Sequence, residues 1–511
     1  MRFLVLAAAL AVVAVPGAAG QAVTRPVLLG YGPAVISPNG NGVHDTLTLH
    51  VQAGGPVDLH AYVWGGRLHG WREIRTGVSG TGTLRWTPSA LGDGSYVVTV
   101  CYGDQGRRLA PVIPRAEQRP GAAEDTVSRP PWRYSGCLAE PKVIRVERLA
   151  AYVDSTRSFE PGSRPPLLVS ADGGRATVAL ADDCLARRLV GRVLPRGYIS
   201  GLYHYVVGDP TGDEFRAPVV LRNGAFPVDH PPPHTALVVW PYLTWRAYNS
   251  YDADLNGIPD SWYHFWRNRR VSLRGAIVPG GQEDDYKAAL PFSRWLCERR
   301  PRVQSVTDVE LGRLPLSVLR RYRAIVFPGH TEYYEPHTWK LLLDYRDGGG
   351  HLAFLQANPF YRQVKLVKDR NAMVMTDFDA RDGGYSDFAL AGVGYDGCCF
   401  PKSRAARYVS AMGAAYARVR WLFRGTGIGP GQAFGYAGSE SDRIDPELSP
   451  PGRVVAAEAV IPGNYGVVNA ALVWSRAGRG ETFATGNYSF LRMQRALTWT
   501  LLDNVWRKLV S

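Results

Sequence analysis

The chain is poor in the features that mark several large function classes. Its six cysteines include no Cys-x-x-Cys pair, which excludes a zinc ribbon and a thioredoxin-type redox site. No block of five or six like charges occurs, although the net charge is +14. Acids interleave with the bases, as in Arg294, Glu298, Arg299 and Arg300, then Asp308, Glu310 and Arg313. Nucleic-acid binders concentrate charge on one stripe of a recognisable module, so the composition argues against that class. Beyond the first residues, no apolar stretch is long enough to span a bilayer. Charged residues are only 20% and hydrophobic residues 45%, which excludes a disordered chain.

What is present begins with an address. Arg2 precedes an unbroken apolar run from Phe3 to Val15, then Pro16-Gly17 and small residues to Ala22. This reads as a secretory signal peptide over residues 1–22, too short for the roughly 20 residues of a membrane span. A secreted, extracellular protein is therefore expected. Export makes Cys101, Cys137, Cys184, Cys297, Cys398 and Cys399 candidates for disulfides, with the pairing left open.

With 511 residues, two to four domains are expected. Residues 23–105 show period-two alternation, as in Leu47, Leu49 and Val51 or Tyr96, Val98 and Val100, between Gly, Pro and Asp turns. That pattern predicts a small β-sandwich. The segment Ile36-Ser-Pro-Asn-Gly-Asn-Gly-Val-His-Asp45, with Trp86 and Leu91-Gly-Asp-Gly-Ser-Tyr96, resembles the immunoglobulin-like modules of flagellar hook-capping proteins. A Pro-rich linker follows over 106–140. Residues 141–230 are again rich in short strands and predict a second sandwich. From 231 the pattern changes to apolar strands (Ala236–Trp240, Ala324–Pro328, Leu352–Leu355) alternating with helices (Asp285–Arg299, Pro336–Tyr345, Arg492–Leu509). This predicts an α/β domain with a parallel sheet covered on both faces.

Open α/β sheets bind ligands beyond the carboxyl ends of their strands. Tyr248, His330, Glu332 and Asn358 occupy those positions here and are expected to share a rim. A carboxylate, an imidazole, a carboxamide and a phenol together form a reasonable active-site set.

These residues carry a resemblance. The pieces T-W-R-A-Y-N (244–249), P-F-S-R-W-L (291–296), G-H-T-E-Y (329–333), the Asn358 strand end and G-S-E-S-D (438–442) resemble the C-terminal domain of the N,N-dimethylformamidase large subunit. The resemblance implies a glutamine-amidotransferase-like (flavodoxin-like) fold and an amide substrate. It also implies a ferric ion held by Tyr248, Tyr286 and Glu332, with His330 and Asn358 as oxyanion donors and Glu440 as general base. Hard oxygen donors suit such a cation, which would polarise an amide carbonyl. The chain departs from that family in its added β module and its export. It departs also in the loop Asp252-Ala-Asp-Leu-Asn-Gly-Ile-Pro-Asp260. There Asp252, Asp254, Asn256 and Asp260 fall at calcium-loop positions 1, 3, 5 and 9, without the closing Glu. Ser37, Asn39, Asn41 and Asp45 repeat the register more weakly. Two functions remain open: a secreted metal-dependent hydrolase of an amide C–N bond, or a non-catalytic surface protein with an inert α/β domain.

Overall fold

The computed structural model describes residues 27–32, 35–36, 45–52, 58–65, 72–79, 82–88, 91, 94–102, 136–137, 142–146, 149–171, 176–182, 187–194, 196, 198–209, 214–249, 262, 270–277, 285–367, 371–377, 384, 386–398, 406–438, 440–462 and 467–511. The signal-peptide segment 1–22, most of the linker, Cys184, Cys399 and the loop bearing Asp252, Asp254, Asn256 and Asp260 lie outside the described residues. So do Ser37, Asn39 and Asn41 of the weaker register. No described helix is long and apolar enough to cross a membrane.

The protein is built mostly of β-sheets. In the first module, Val27–Gly32, Leu47–Gln52 and Gly82–Trp86 form one sheet. A second sheet is built around Gly94–Tyr102, flanked by Asp58–Gly65 and Lys142–Val146. Alternation sends Leu47, Leu49, Val51 and Leu84 inward from the first sheet. Val63, Tyr96, Val98, Val100 and Ile144 meet them from the second. The strand Lys142–Val146 corrects the sequence reading, which placed it in the second module. It pairs antiparallel with Gly94–Tyr102 instead. Alternation identifies a strand but not its partner, and a Pro-rich stretch separates two pairing strands as readily as two domains. Cys137 stands opposite Cys101 in the same sheet, and Cys101, Cys297 and Cys398 are disulfide-bonded.

The second module is a four-stranded antiparallel sheet of Arg187–Val190, Thr177–Asp182, Gly201–Gly208 and Glu214–Leu221. The hairpin Leu149–Val153 with Leu167–Ala171 shares its core. A buried polar joint fixes the module to the third region. Arg222 Nη2 lies 2.6 Å from Glu310 Oε1, and the Ser158 N–H and hydroxyl donate to Glu310 Oε2 at 2.9 and 2.8 Å.

The third region holds a nine-stranded sheet. Its parallel half runs Val303–Thr307, Ala236–Trp240, Ala324–Phe327, His351–Phe354 and Gly480–Ala484. Successive residues feed two separate cores. Ala236, Val238, Trp240, Ala324 and Val326 pack on one face, while Leu237, Val239, Ile325 and Phe327 pack on the other. Helices Leu290–Arg299 and Arg495–Leu509 cover the first face through Phe292, Trp295, Leu501 and Val505. Helix Pro336–Asp347 covers the second through Trp339, Leu342 and Tyr345. The expectation of an all-parallel sheet is corrected here. Val467–Ala477, Val454–Pro462, Ala406–Ser410 and Ala433–Ala437 extend it in antiparallel fashion. The expected helix 285–299 is two helices, Asp285–Ala288 and Leu290–Arg299. Pro291 in the first turn of the second lacks an N–H to continue the first.

Candidate functional site

The parallel strands end at one rim, and each end delivers a polar side chain. Helix Tyr242–Ala247 follows Trp240 and places Tyr248 at its C-cap. The Thr244 hydroxyl in that helix accepts from the backbone N–H of Glu332 at 3.0 Å and of Tyr333 at 3.3 Å. This ties the loop after Phe327 to the helix after Trp240. Tyr248 then donates its phenolic hydrogen to Glu332 Oε2.

Tyr333–Tyr334 pairs parallel with Arg362–Val367, with Tyr333 opposite Arg362. Arg362 N–H donates to the Glu332 carbonyl at 2.9 Å. Its Nε donates to Glu332 Oε1. Burial works against the Arg362 cation, but the Glu332 carboxylate more than offsets it and holds the guanidinium above its usual range. Both carboxylate oxygens of Glu332 are therefore engaged, one by a phenol and one by a cation, on a side chain only 2% exposed.

His330 stands beside this pair. Its Nε2 is 3.8 Å from Glu332 Oε2 and 3.0 Å from Glu440 Oε2. Its ring packs between Tyr248 and Tyr488, with centroids 5.5 and 5.4 Å away. Asn358 donates from Nδ2 to Glu440 Oε2 at 3.0 Å, and its Oδ1 is buried with no hydrogen-bond partner. Asn358 and Phe360 adopt φ of 54° and 61°. A bulky residue in this region is strained, a feature that gathers at functional sites. The conformation is held from outside. Asp442 accepts the Asn358 N–H with both oxygens, at 3.0 and 3.1 Å, and Thr331 O accepts from Phe360 N–H at 2.8 Å. Burial raises the Asp442 carboxyl well above the usual carboxylate range, against the pull of the Asn358 amide. Burial, then the charges of Glu440 and Glu332, raise the Tyr395 phenol, placing it within electrostatic reach of the cluster.

The structure thus brings Tyr248, His330, Glu332, Asn358 and Glu440 into one buried cluster. Tyr286 is buried on a neighbouring helix. Its ring lies against His204 and Trp245, with centroids 5.4 and 6.3 Å away. Among the described residues, no group of three His, Cys, Asp or Glu side chains is spaced to hold a metal ion, so a cation here depends on phenols. A phenol meeting a carboxylate, with an unsatisfied buried amide oxygen nearby, fits two of the three expected donors. Sequence reasoning missed Arg362 and Asp442 as supports. Arg362 lies four residues beyond Asn358, and Asp442 two beyond Glu440. Each was within reach of a rule that buried carboxylates and strained backbone need partners.

Residues 189–494 match the family model described as N,N-dimethylformamidase beta subunit-like, C-terminal. An N,N-dimethylformamidase beta subunit from Alcaligenes sp is 25% identical over 318 residues, which is 51% of this chain and 41% of that protein. The chain therefore matches less than half the length of that relative. Among solved structures, a GH42 beta-galactosidase of G. stearothermophilus aligns with a TM-score of 0.31 at 12% identity, over 54% of this chain and 30% of that one. A C-terminal fragment of intimin aligns at 0.15 and 11%, over 39% of this chain and 65% of the fragment. Likenesses at those scores carry no argument.

Proposed function

We propose a function from the premise that the chain belongs to the N,N-dimethylformamidase beta subunit-like C-terminal family. The protein is an exported hydrolase of an amide C–N bond, built on a glutamine-amidotransferase-like α/β domain. The observation that carries this reading is the buried cluster in which Tyr248 meets Glu332 while His330 and Asn358 converge on Glu440. Tyr248, Glu332 and Tyr286 would hold a ferric ion. When bound, that ion supplies Lewis acidity toward an amide carbonyl.

The chain's own residues divide the remaining work. Glu440 accepts the proton of the attacking water, as the carboxylate nearest His330. His330 and the second Asn358 N–H face the carbonyl oxygen as donors. Arg362 pairs with Glu332 and holds its carboxylate in place, and Asp442 fixes Asn358 in its left-handed conformation. Export is supported by the N-terminal apolar run and the disulfide-bonded cysteines. A calcium ion on Asp252, Asp254, Asn256 and Asp260 belongs to the same proposal.

One observation favours the non-catalytic alternative: Arg362 already occupies one oxygen of Glu332, closing the network. One experiment decides between them. Protein purified without chelators is analysed for metal and assayed for amine release from a panel of small amides, alongside Glu332→Ala and Glu440→Gln. The hydrolase reading expects about one iron per chain, lost in Glu332→Ala, and turnover lost in Glu440→Gln with iron retained. Iron content that is absent, or unchanged in Glu332→Ala, removes the metal reading. Amine release absent from iron-loaded protein on every amide leaves the binding role.

A further inference from the structure

The strand-end rule that locates the cluster applies to one more strand. Gly480–Ala484 pairs parallel with His351–Phe354, so its carboxyl end opens on the same rim. The chain leaves it through Thr485, Gly486, Asn487, Tyr488 and Ser489. The Thr485 N–H still donates to Phe354 O at 3.0 Å. Gly486 then adopts φ of 52°, and a Cβ there would lie 2.4 Å from Ala471 O. Only glycine passes so close to the strand Val467–Ala477 in that backbone conformation. The turn delivers Asn487, wholly buried, opposite Ser441 in the segment that carries Glu440.

Asn487 meets that segment with its whole amide. Its side-chain NH2 is shared among Gly438 O at 3.1 Å, Glu440 O at 3.2 Å and Ser441 Oγ at 3.2 Å. Its Oδ1 accepts the Ser489 N–H at 2.8 Å. Bonds from the flanking residues secure the same contact. Tyr488 N–H donates to Glu440 O at 3.0 Å, Ser489 Oγ to Gly438 O at 3.1 Å, and Asp442 N–H to Gly486 O at 2.9 Å. The carbonyl of Glu440 is thus held twice, while its carboxylate meets His330 Nε2 and Asn358 Nδ2, each 3.0 Å away. Tyr488 also holds the other partner. Its ring stands edge-on to the His330 ring, at 82° with centroids 5.4 Å apart. The Arg492 guanidinium in turn lies 5.0 Å from the centre of the Tyr488 ring. One strand end therefore fixes both sides of the His330–Glu440 contact. A planar amide suits this place. An aspartate would set a carboxylate against two carbonyl oxygens, and an alanine would remove every bond the side chain makes.

We infer that Asn487 is a positioning residue, which holds the backbone around Glu440 so that its carboxylate meets His330 and Asn358. The inference rests on the hydrolase reading for the role of Glu440 as base. Its effect can be followed at a group Asn487 does not touch, because Asp442, two residues beyond Glu440, accepts the Asn358 N–H. The test compares Asn487→Ala with the parent, as full chains, by amide hydrogen exchange and by amine release from small amides. The Asn358 and Tyr488 amides should exchange about tenfold faster, beyond any change in the strand Ala236–Trp240, which reports global opening. The kcat should fall roughly 10- to 100-fold with KM within about twofold and bound iron unchanged, because a 1 Å misplacement costs on the order of 100-fold. If Asn487→Ala does not fold, Ser489→Ala removes a single bond to Gly438 and should move the same amides and kcat severalfold in the same direction. Exchange at Asn358 that rises no more than in the strand Ala236–Trp240 would overturn the inference. So would an unchanged kcat, or a rise in KM alone, in a variant whose Asn358 amide is exposed. A parent that releases no amine from any amide refutes the hydrolase reading alone, and the exchange result then decides whether Asn487 holds the Glu440 segment.

Discussion

Arg362 is the sharpest place to perturb the Glu332 cluster. The Glu332 side chain is 2% exposed and the Arg362 side chain 17%. Removing one partner of a pair this buried leaves the other charge uncompensated, which costs about 3–5 kcal/mol. Arg362→Met keeps length and apolar stem but removes the charge. Glu332→Gln makes the reciprocal defect, leaving a buried guanidinium beside a neutral amide. For a domain of this size, a loss of that magnitude lowers Tm by roughly 6–20 °C. The double variant Arg362→Met, Glu332→Gln leaves no unpaired charge and should sit within about 2 kcal/mol of the parent. The expected coupling is therefore several kcal/mol, well above the ~0.5 kcal/mol scatter of independent sites. The assay is thermal unfolding of the four proteins after dialysis against a chelator, so that no cation replaces the guanidinium. If the double variant melts where the two single losses add, Arg362 and Glu332 are not an energetic unit, and the claim that each compensates the other's buried charge is wrong.

Other perturbations test neighbouring parts. Thr244→Val removes the acceptor shared by the Glu332 and Tyr333 amides and should cost about 1–3 kcal/mol, read as a lower Tm. Asp442→Ala strands the buried Asn358 N–H at a similar cost, and Asp442→Asn, which keeps one acceptor oxygen, should recover most of it. His351 accepts the Glu481 N–H on Nδ1, and burial, then the charge of Arg323, lower its pKa from 6.5 to about 4. Its unfolded form takes up a proton first, so stability should fall as pH drops from about 6.5 to about 4, and His351→Gln should flatten that part of a Tm-against-pH curve. Chelation of calcium should lower the Tm of the full chain if Asp252, Asp254, Asn256 and Asp260 hold the ion, and leave it unchanged otherwise.

Much of this site was legible because the rule that locates it depends on strand ends alone. The apolar runs Ala236–Trp240 and Ala324–Phe327 are unmistakable, so Tyr248, His330 and Glu332 follow by counting. The antiparallel half of the sheet was not legible. Val454–Pro462 alternates buried and exposed residues, but the alternation does not say which edge it will extend. The same limit misplaced Lys142–Val146, whose partner is some 50 residues earlier in the chain. Arg362 escaped for a related reason. Its meaning comes from the register that sets it opposite Tyr333, and a pairing of two distant short strands leaves no local mark.

The helix Tyr242–Ala247 shows why a motif can be read correctly and still be read incompletely. In T-W-R-A-Y-N, Thr244 and Tyr248 turn toward Glu332, and this half of the motif is explained by the proposed chemistry. Trp245 and Arg246 turn the other way, Trp245 against the Tyr286 ring and Arg246 onto Tyr242 Oη and Gly275 O. A helix of six residues can present two faces at no extra cost in chain, because side chains four apart align and side chains one apart do not. The two faces make separable predictions. Thr244→Val should speed hydrogen exchange at the Glu332 and Tyr333 amides, whereas Arg246→Met should lower Tm and leave those amides protected. If Arg246→Met also exposed those amides, the helix would be acting as one rigid element coupling its two faces. The division of the motif into two independent halves would then fail.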